Sequence, residues 1–193
     1  MVEAISKIVD LTELLRVDWK SLRASGNAAE VPQAIVKLQH AQTAAEATSA
    51  YWRIDNTVIV QGALFESAEA AVPCLLSALY ECTDFARPRI LELLFQIGAG
   101  SAHREEILAG NFNLAENCRA AVKLGTSHYF HLLENGTTIE SGFCADLIEL
   151  CAKDDASLTA RAKWWFERMI GRSTDASAWK IYSVCLKNLS KQA

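Results

Sequence analysis

The sequence predicts an all-α fold, an α-α superhelix of stacked antiparallel helix pairs, on three observations. Glycine and proline are scarce, nine and three in 193 residues, whereas every turn of a sandwich or barrel consumes them. Apolar residues recur at three- and four-residue spacing along most of the chain and do not alternate. Short polar stretches separate these segments, and the pairs repeat at roughly 35–45 residues, the length of one helical hairpin repeat. A single repeat domain over 1–193 is expected, with helix pairs at about 2–50, 57–100, 112–153 and 156–190.

Taken in order, residues 2–23 carry Ile5, Ile8, Leu15, Trp19 and Leu22 on an amphipathic helix, with Asp10 and Glu13 spaced to cap a break inside it. ASGNAAE (24–30) is a loop. Pro32 lies in the first turn of a second helix that runs through the alanine-rich stretch to about residue 50.

YWRIDNTVIVQG (51–62) contains the most β-branched run of the chain, Thr57–Val60, which by itself suits a strand. Against that, Val58, Phe65, Val72 and Leu79 recur every seven residues, so a helix accounts for about 25 positions and a strand for about four. Asp55, Asn56 and Thr57 are therefore expected to cap a helix beginning at Val58, and Gly62 to admit a close neighbouring helix. Pro73 predicts a kink, or two helices meeting near Ala71–Val72. Residues 83–87 form the turn, Pro88 opens the next helix and GAGS (98–101) closes it.

In the second half a helix is expected from about Leu114 to Leu133, ended by Asn135-Gly136. Another spans about Thr138–Ala152, with Ile139, Phe143 and Leu147 on its apolar face. Lys153-Asp154-Asp155 is a turn. Residues 157–170 form the next helix, and Thr174-Asp175 starts the last, whose apolar face includes Trp179, Tyr182, Cys185 and Leu189. The poor match between the repeats leaves an irregular helical bundle as the alternative architecture.

The segment SAEAAVPCLLSALYECTDFARPRILELLFQIG (67–98) looks like a HEAT repeat: an alanine-rich start, Pro73, the Leu75-Leu76 pair, a short acidic turn, then an arginine-bearing second helix ending near glycine. The resemblance is good over about 57–100 and weaker over 114–190. It departs in the turn, where Phe85-Ala86 separate Asp84 from Arg87. The longer line from Tyr51 to Leu76 resembles small bacterial HEAT-like proteins that act as immunity proteins beside polymorphic toxins. That resemblance implies binding and neutralising a cognate protein.

Net charge is −4, and no Lys/Arg run is long enough to track a phosphate backbone, so no nucleic-acid partner is expected. No apolar run reaches the roughly 20 residues that span a bilayer, so no membrane association is expected. MVEAISKIVDLTELL lacks the basic start and continuous apolar core of a signal peptide. The expected compartment is the cytoplasm, with the six cysteines as reduced thiols; no CxxC is present.

Four carboxylates and one ring are the candidate partner-binding residues. Glu140, Asp146 and Glu149 fall on the polar face of the 138–152 helix, and Glu92 on the second helix of the earlier pair. In a solenoid such second helices line the concave surface, so the four would form an acidic groove for a basic partner such as a toxin domain; a solvated face is the plainer alternative. Trp164-Trp165-Phe166 sweep about 200° of a helix, more than one core stripe holds. Their spacing from Leu158, Ala162 and Met169 turns Trp165 and Phe166 inward and Trp164 outward, as an interaction anchor.

The rival constellation is His128, His131 and Glu134, at three-residue intervals on one helix, which would suit a metal or an enzymatic centre. A third ligand for a catalytic zinc is missing from it, and His131 at a helix end also suits capping. No G-x-G-x-x-G, P-loop, H-E-x-x-H or G-x-S-x-G is present, so no catalysis and no cofactor are expected. A structural module that assembles with its own copies is the third possibility.

Overall fold

The computed structural model describes residues 12–191 and is all-α, with one three-stranded sheet of two-residue strands. The chain forms two compact units that divide between Val122 and Lys123. Of the first helix expected over 2–23, residues 2–11 and the Asp10 cap lie outside the described residues; in the rest, helix ends at residue 15 and only a 3-10 turn, Trp19–Ser21, follows, so the helix does not reach residue 23. No helix among the described residues is long and apolar enough to cross a membrane.

In the first unit α1 spans Val31–Gln39 and α2 spans Ala44–Val58. The expected single helix from Pro32 to residue 50 is thus two. His40 closes α1, and Thr43 opens α2 by accepting the Glu46 N–H, while the Glu46 carboxylate accepts the Gln42 N–H at 2.8 Å. These local hydrogen bonds satisfy orphan donors, so the chain breaks where capping residues occur and not where apolar spacing lapses.

β1 (Ile59–Val60) and β2 (Ala63–Leu64) then form an antiparallel hairpin, and β3 (Ser101–Ala102) pairs with β2 in parallel. Asp55, Asn56 and Thr57 are accordingly in the last turn of α2, not at a helix start, and the β-branched run is split between helix end and strand. Gln61 and Gly62 form the two-residue turn with φ of 51° and 82°, the left-handed pair that a tight hairpin requires. A Cβ on Gly62 would meet nothing within 4 Å, so backbone conformation and no neighbouring helix accounts for the glycine. Gly100 is the close-approach glycine instead: a Cβ there would fall 2.7 Å from the Leu64 Cγ.

α3 (Glu66–Tyr80) runs unbroken through Pro73, so neither a junction at Ala71–Val72 nor a start at Val58 occurs. It buries Ala68, Val72, Leu75 and Leu79. α4 (Arg87–Ala99) begins on Pro88 as expected. The turn between them is tied to the end of α1, since Thr83 donates its N–H to the Gln39 carbonyl and its hydroxyl to the Ala41 carbonyl at 2.6 Å. Within the unit α1 packs on α2 and α3 on α4, while α1 also meets α3 and α2 meets α4, as in two stacked hairpins.

α5 (Arg104–Leu108), not anticipated from the sequence, hangs on Glu106, a fully buried carboxylate. It accepts the Arg23 guanidinium, the Glu66 N–H at 3.1 Å and the Asn111 side-chain amide at 3.0 Å. α6 (Leu114–Lys123) ends before Gly125, so the expected 114–133 helix is two.

The second unit contains α7 (Thr126–Asn135), α8 (Thr138–Ala152), α9 (Ala156–Arg172) and α10 (Ala176–Lys191), the last three close to their expected bounds. A reciprocal capping box starts α8, with Thr137 and Glu140 exchanging backbone N–H groups at 3.3 and 2.7 Å. Asp155 caps α9 through the Leu158 N–H, and Asp175 caps α10 through the Ser177 N–H. α8 packs against α7, α9 and α10 and is buried on nearly all sides, which suits its apolar residues on every face. Ile139 alone of its expected apolar face is left 64% exposed.

Candidate functional site

The outward ring of the WWF triplet is Trp164. Phe166 is fully buried and stacked on Tyr182 at 6.5 Å, and Trp165 is half-buried with its ring 5.6 Å from Phe130. Trp164 is 57% exposed and meets Trp165 edge-on at 5.6 Å. Successive helical residues differ by about 100°, so burying Phe166 rotates Trp164 to the opposite side. One edge contact holds the ring without covering it, and its other surface is available to a partner.

The acidic candidates occupy different environments. Glu140 is 2% exposed, with its carboxylate turned back to the Thr137 N–H. Asp146 and Glu149 are half-buried and face α10: the Cys185 thiol approaches Asp146 at 4.0 Å, and the Asn188 amide donates to Glu149 at 3.1 Å. Burial and the neighbouring Glu149 push the Asp146 carboxyl up to about 6. Asp146 and Glu149 therefore line the contact between α8 and α10, and Glu140 is committed to the start of its own helix. Glu92, in the other unit, pairs with Arg89 at 2.7 Å.

Glu92 belongs to a polar cluster between α2 and α4 that sequence spacing would have revealed only in part. Tyr51 and Asp55 are four apart on α2 and both buried. The Tyr51 hydroxyl accepts from the Gln96 amide at 2.8 Å, and the Arg89 guanidinium lies 5.3 Å from the Tyr51 ring centre. Burial, then the Glu92 and Asp55 carboxylates, pushes the Tyr51 hydroxyl up to about 12; burial and Glu92 also raise Asp55. The spacing of Tyr51 and Asp55 was legible, but their meeting with Glu92, some forty residues away, depends on the packing of α2 on α4.

His128 and His131 stand with ring centres 6.1 Å apart. Glu134 is engaged by Arg172 at 2.9 Å, and the Asn135 amide donates to the His131 carbonyl at 2.9 Å. Among the described residues no three His, Cys, Asp or Glu side chains are grouped to hold a metal ion. These three residues do not meet the three-ligand requirement of a metal centre.

A cavity of about 370 Å³ opens between α1 and α2, lined by Lys37, His40, Glu46 and Arg53 over Ala41 and Ala50. It contains none of the candidates read from the sequence. The six cysteines form no disulfide, and all but Cys82 are buried.

The chain matches no protein-family model, no curated protein and no solved structure.

Proposed function

We propose that this protein is a non-catalytic protein-binding module: a bacterial HEAT-like α-solenoid, acting in the cytoplasm, that neutralises or scaffolds a partner in the manner of an immunity protein. The observation that carries the reading is Trp164, a large ring left 57% exposed while Phe166, two residues on, is fully buried. A flat aromatic held from one side is the kind of residue that dominates interface energies. The pairing of α1 with α3 and α2 with α4 gives the solenoid reading its support.

The test is co-expression with the product of the open reading frame immediately upstream. A stable complex is expected, with Trp164→Ala weakening it by about 2 kcal/mol, roughly thirtyfold in Kd, in calorimetry. A complex unaffected by that substitution removes Trp164 from the interface. A neighbouring gene whose product neither binds nor harms the host removes the immunity role.

A further inference from the structure

The mild net charge conceals a segregation. From residue 156 onward there are seven basic residues against only Glu167 and Asp175, whereas residues 1–155 hold twelve basic and twenty-one acidic ones. On α9, Arg161, Trp164, Arg168 and Arg172 recur at three- and four-residue spacing and all are exposed. On α10, Lys180, Val184, Lys187 and Lys191 do the same.

The fold makes little use of this charge. Arg172 is paired with Glu134, and it and Lys191 lie in last turns, where a cation complements the helix dipole. Arg161 lies 4.2 Å from the Phe130 ring centre. The side chains of Arg168, Lys180 and Lys187 have no hydrogen-bond or ion-pair partner among the described residues. Lys180 stands one turn into α10, at the end of the dipole that disfavours a cation. Of the two acids, Asp175 is committed to the Ser177 N–H and the Thr138 hydroxyl.

We propose that the solvent face of α9 docks an acidic protein segment, an apolar side chain seated on Trp164 with carboxylates on either side that meet Arg161 and Arg168, while the Lys180–Lys191 stripe of α10 supplies longer-range steering. This rests on the protein-binding reading above and reverses the polarity of the partner expected from the sequence. Arginine beside an exposed tryptophan is the composition of an interface core, and lysine that of a steering rim. Each stripe spans about 17 Å, the reach of a short segment. A long polyanion extending beyond the hairpin would meet the acidic excess of residues 123–155 in the same unit, two basic against six acidic, which favours a confined acidic segment over nucleic acid.

A display library of random peptides of about 12 residues, selected on the full chain at about 150 mM salt, tests this. Enriched peptides should be acidic with an aromatic or aliphatic anchor. Synthetic versions should lose roughly tenfold in affinity with Arg168→Glu/Lys187→Glu and with Trp164→Ala, both variants retaining the wild-type helical circular dichroism. Peptides that need Trp164 but are neutral or basic overturn the acidic class and leave the protein-binding reading standing. Acidic peptides that respond to the charge reversal and not to Trp164→Ala support the basic docking face and remove the ring as its anchor. No peptide responding to either variant overturns both. Binding of a labelled single-stranded DNA of about 20 nucleotides, or of vesicles containing phosphatidylglycerol, that is abolished by the charge reversal overturns the choice of a protein segment.

Discussion

Arg23 and Glu106 are joined by three N–H···O contacts of 2.8, 3.0 and 3.1 Å across 83 residues, and the Glu106 side chain has no solvent exposure. The bidentate fork anchors α5 to the loop before α1. Burial opposes the Glu106 charge, but the hydrogen bonds from Arg23, Asn111 and the Glu66 N–H outweigh it and hold the carboxyl below its usual range. A depressed folded value contributes stability above the unfolded value near 4.5 that is lost as pH falls through the lower folded one. Glu106→Gln should therefore lower the unfolding free energy by about 2–3 kcal/mol at neutral pH, read as a shift of the urea midpoint at constant slope.

Asp146 carries the opposite sign. Its folded value, about 6, lies above the 3.8 of an ordinary aspartate, so the native state holds the proton more tightly and stability falls as pH rises between the two. Asp146→Asn should stabilise the protein by about 1 kcal/mol above pH 6, with half-exposure limiting the gain, and the advantage should vanish below about pH 4. Denaturant midpoints measured across that window check it.

Gln61 pays the strain of a left-handed turn position without the side chain that tolerates it. Gln61→Asn should raise stability by about 0.5–1 kcal/mol, since Asn-Gly is the favoured pair for such a hairpin. Gly62→Ala should cost about 1 kcal/mol through its φ of 82° even though the space is open. Thermal melts of the two variants, moving in opposite directions, are the measurement.

Burial pushes the Cys74 and Cys118 thiols up to about 12 and Cys151 to about 11, and raises Cys144 and Cys185 further. Cys82 is the least buried of the six. A disulfide reagent should modify one thiol quickly in the native protein and the rest only as it unfolds; Cys82→Ser should remove the fast phase.

Several boundaries were legible in the sequence because their causes are local. Asp155 and Asp175 satisfy donors two or three residues away, so the starts of α9 and α10 are written within one turn of chain. The outward rotation of Trp164 follows from helix geometry once Phe166 is assigned to the core. Elsewhere periodicity misled: the seven-residue recurrence of Val58, Phe65, Val72 and Leu79 joins residues that are all part of the core but belong to a helix end, a strand exit and another helix.

What the sequence determined by itself was the helical class, the starts at Asp155 and Asp175 and the inward Phe166 with outward Trp164, since these depend on residues within a turn or two of one another. What only the tertiary structure decided was how the helices are covered. Ile59–Val60 leaves the helix to pair with Ala63–Leu64, whose other edge is taken by Ser101–Ala102, some forty residues along the chain. Asp146 and Glu149 are half-buried against Cys185 and Asn188 because α10 packs on α8. A side chain's chemistry is local, but its exposure is set by residues distant in sequence, and binding surfaces depend on exposure.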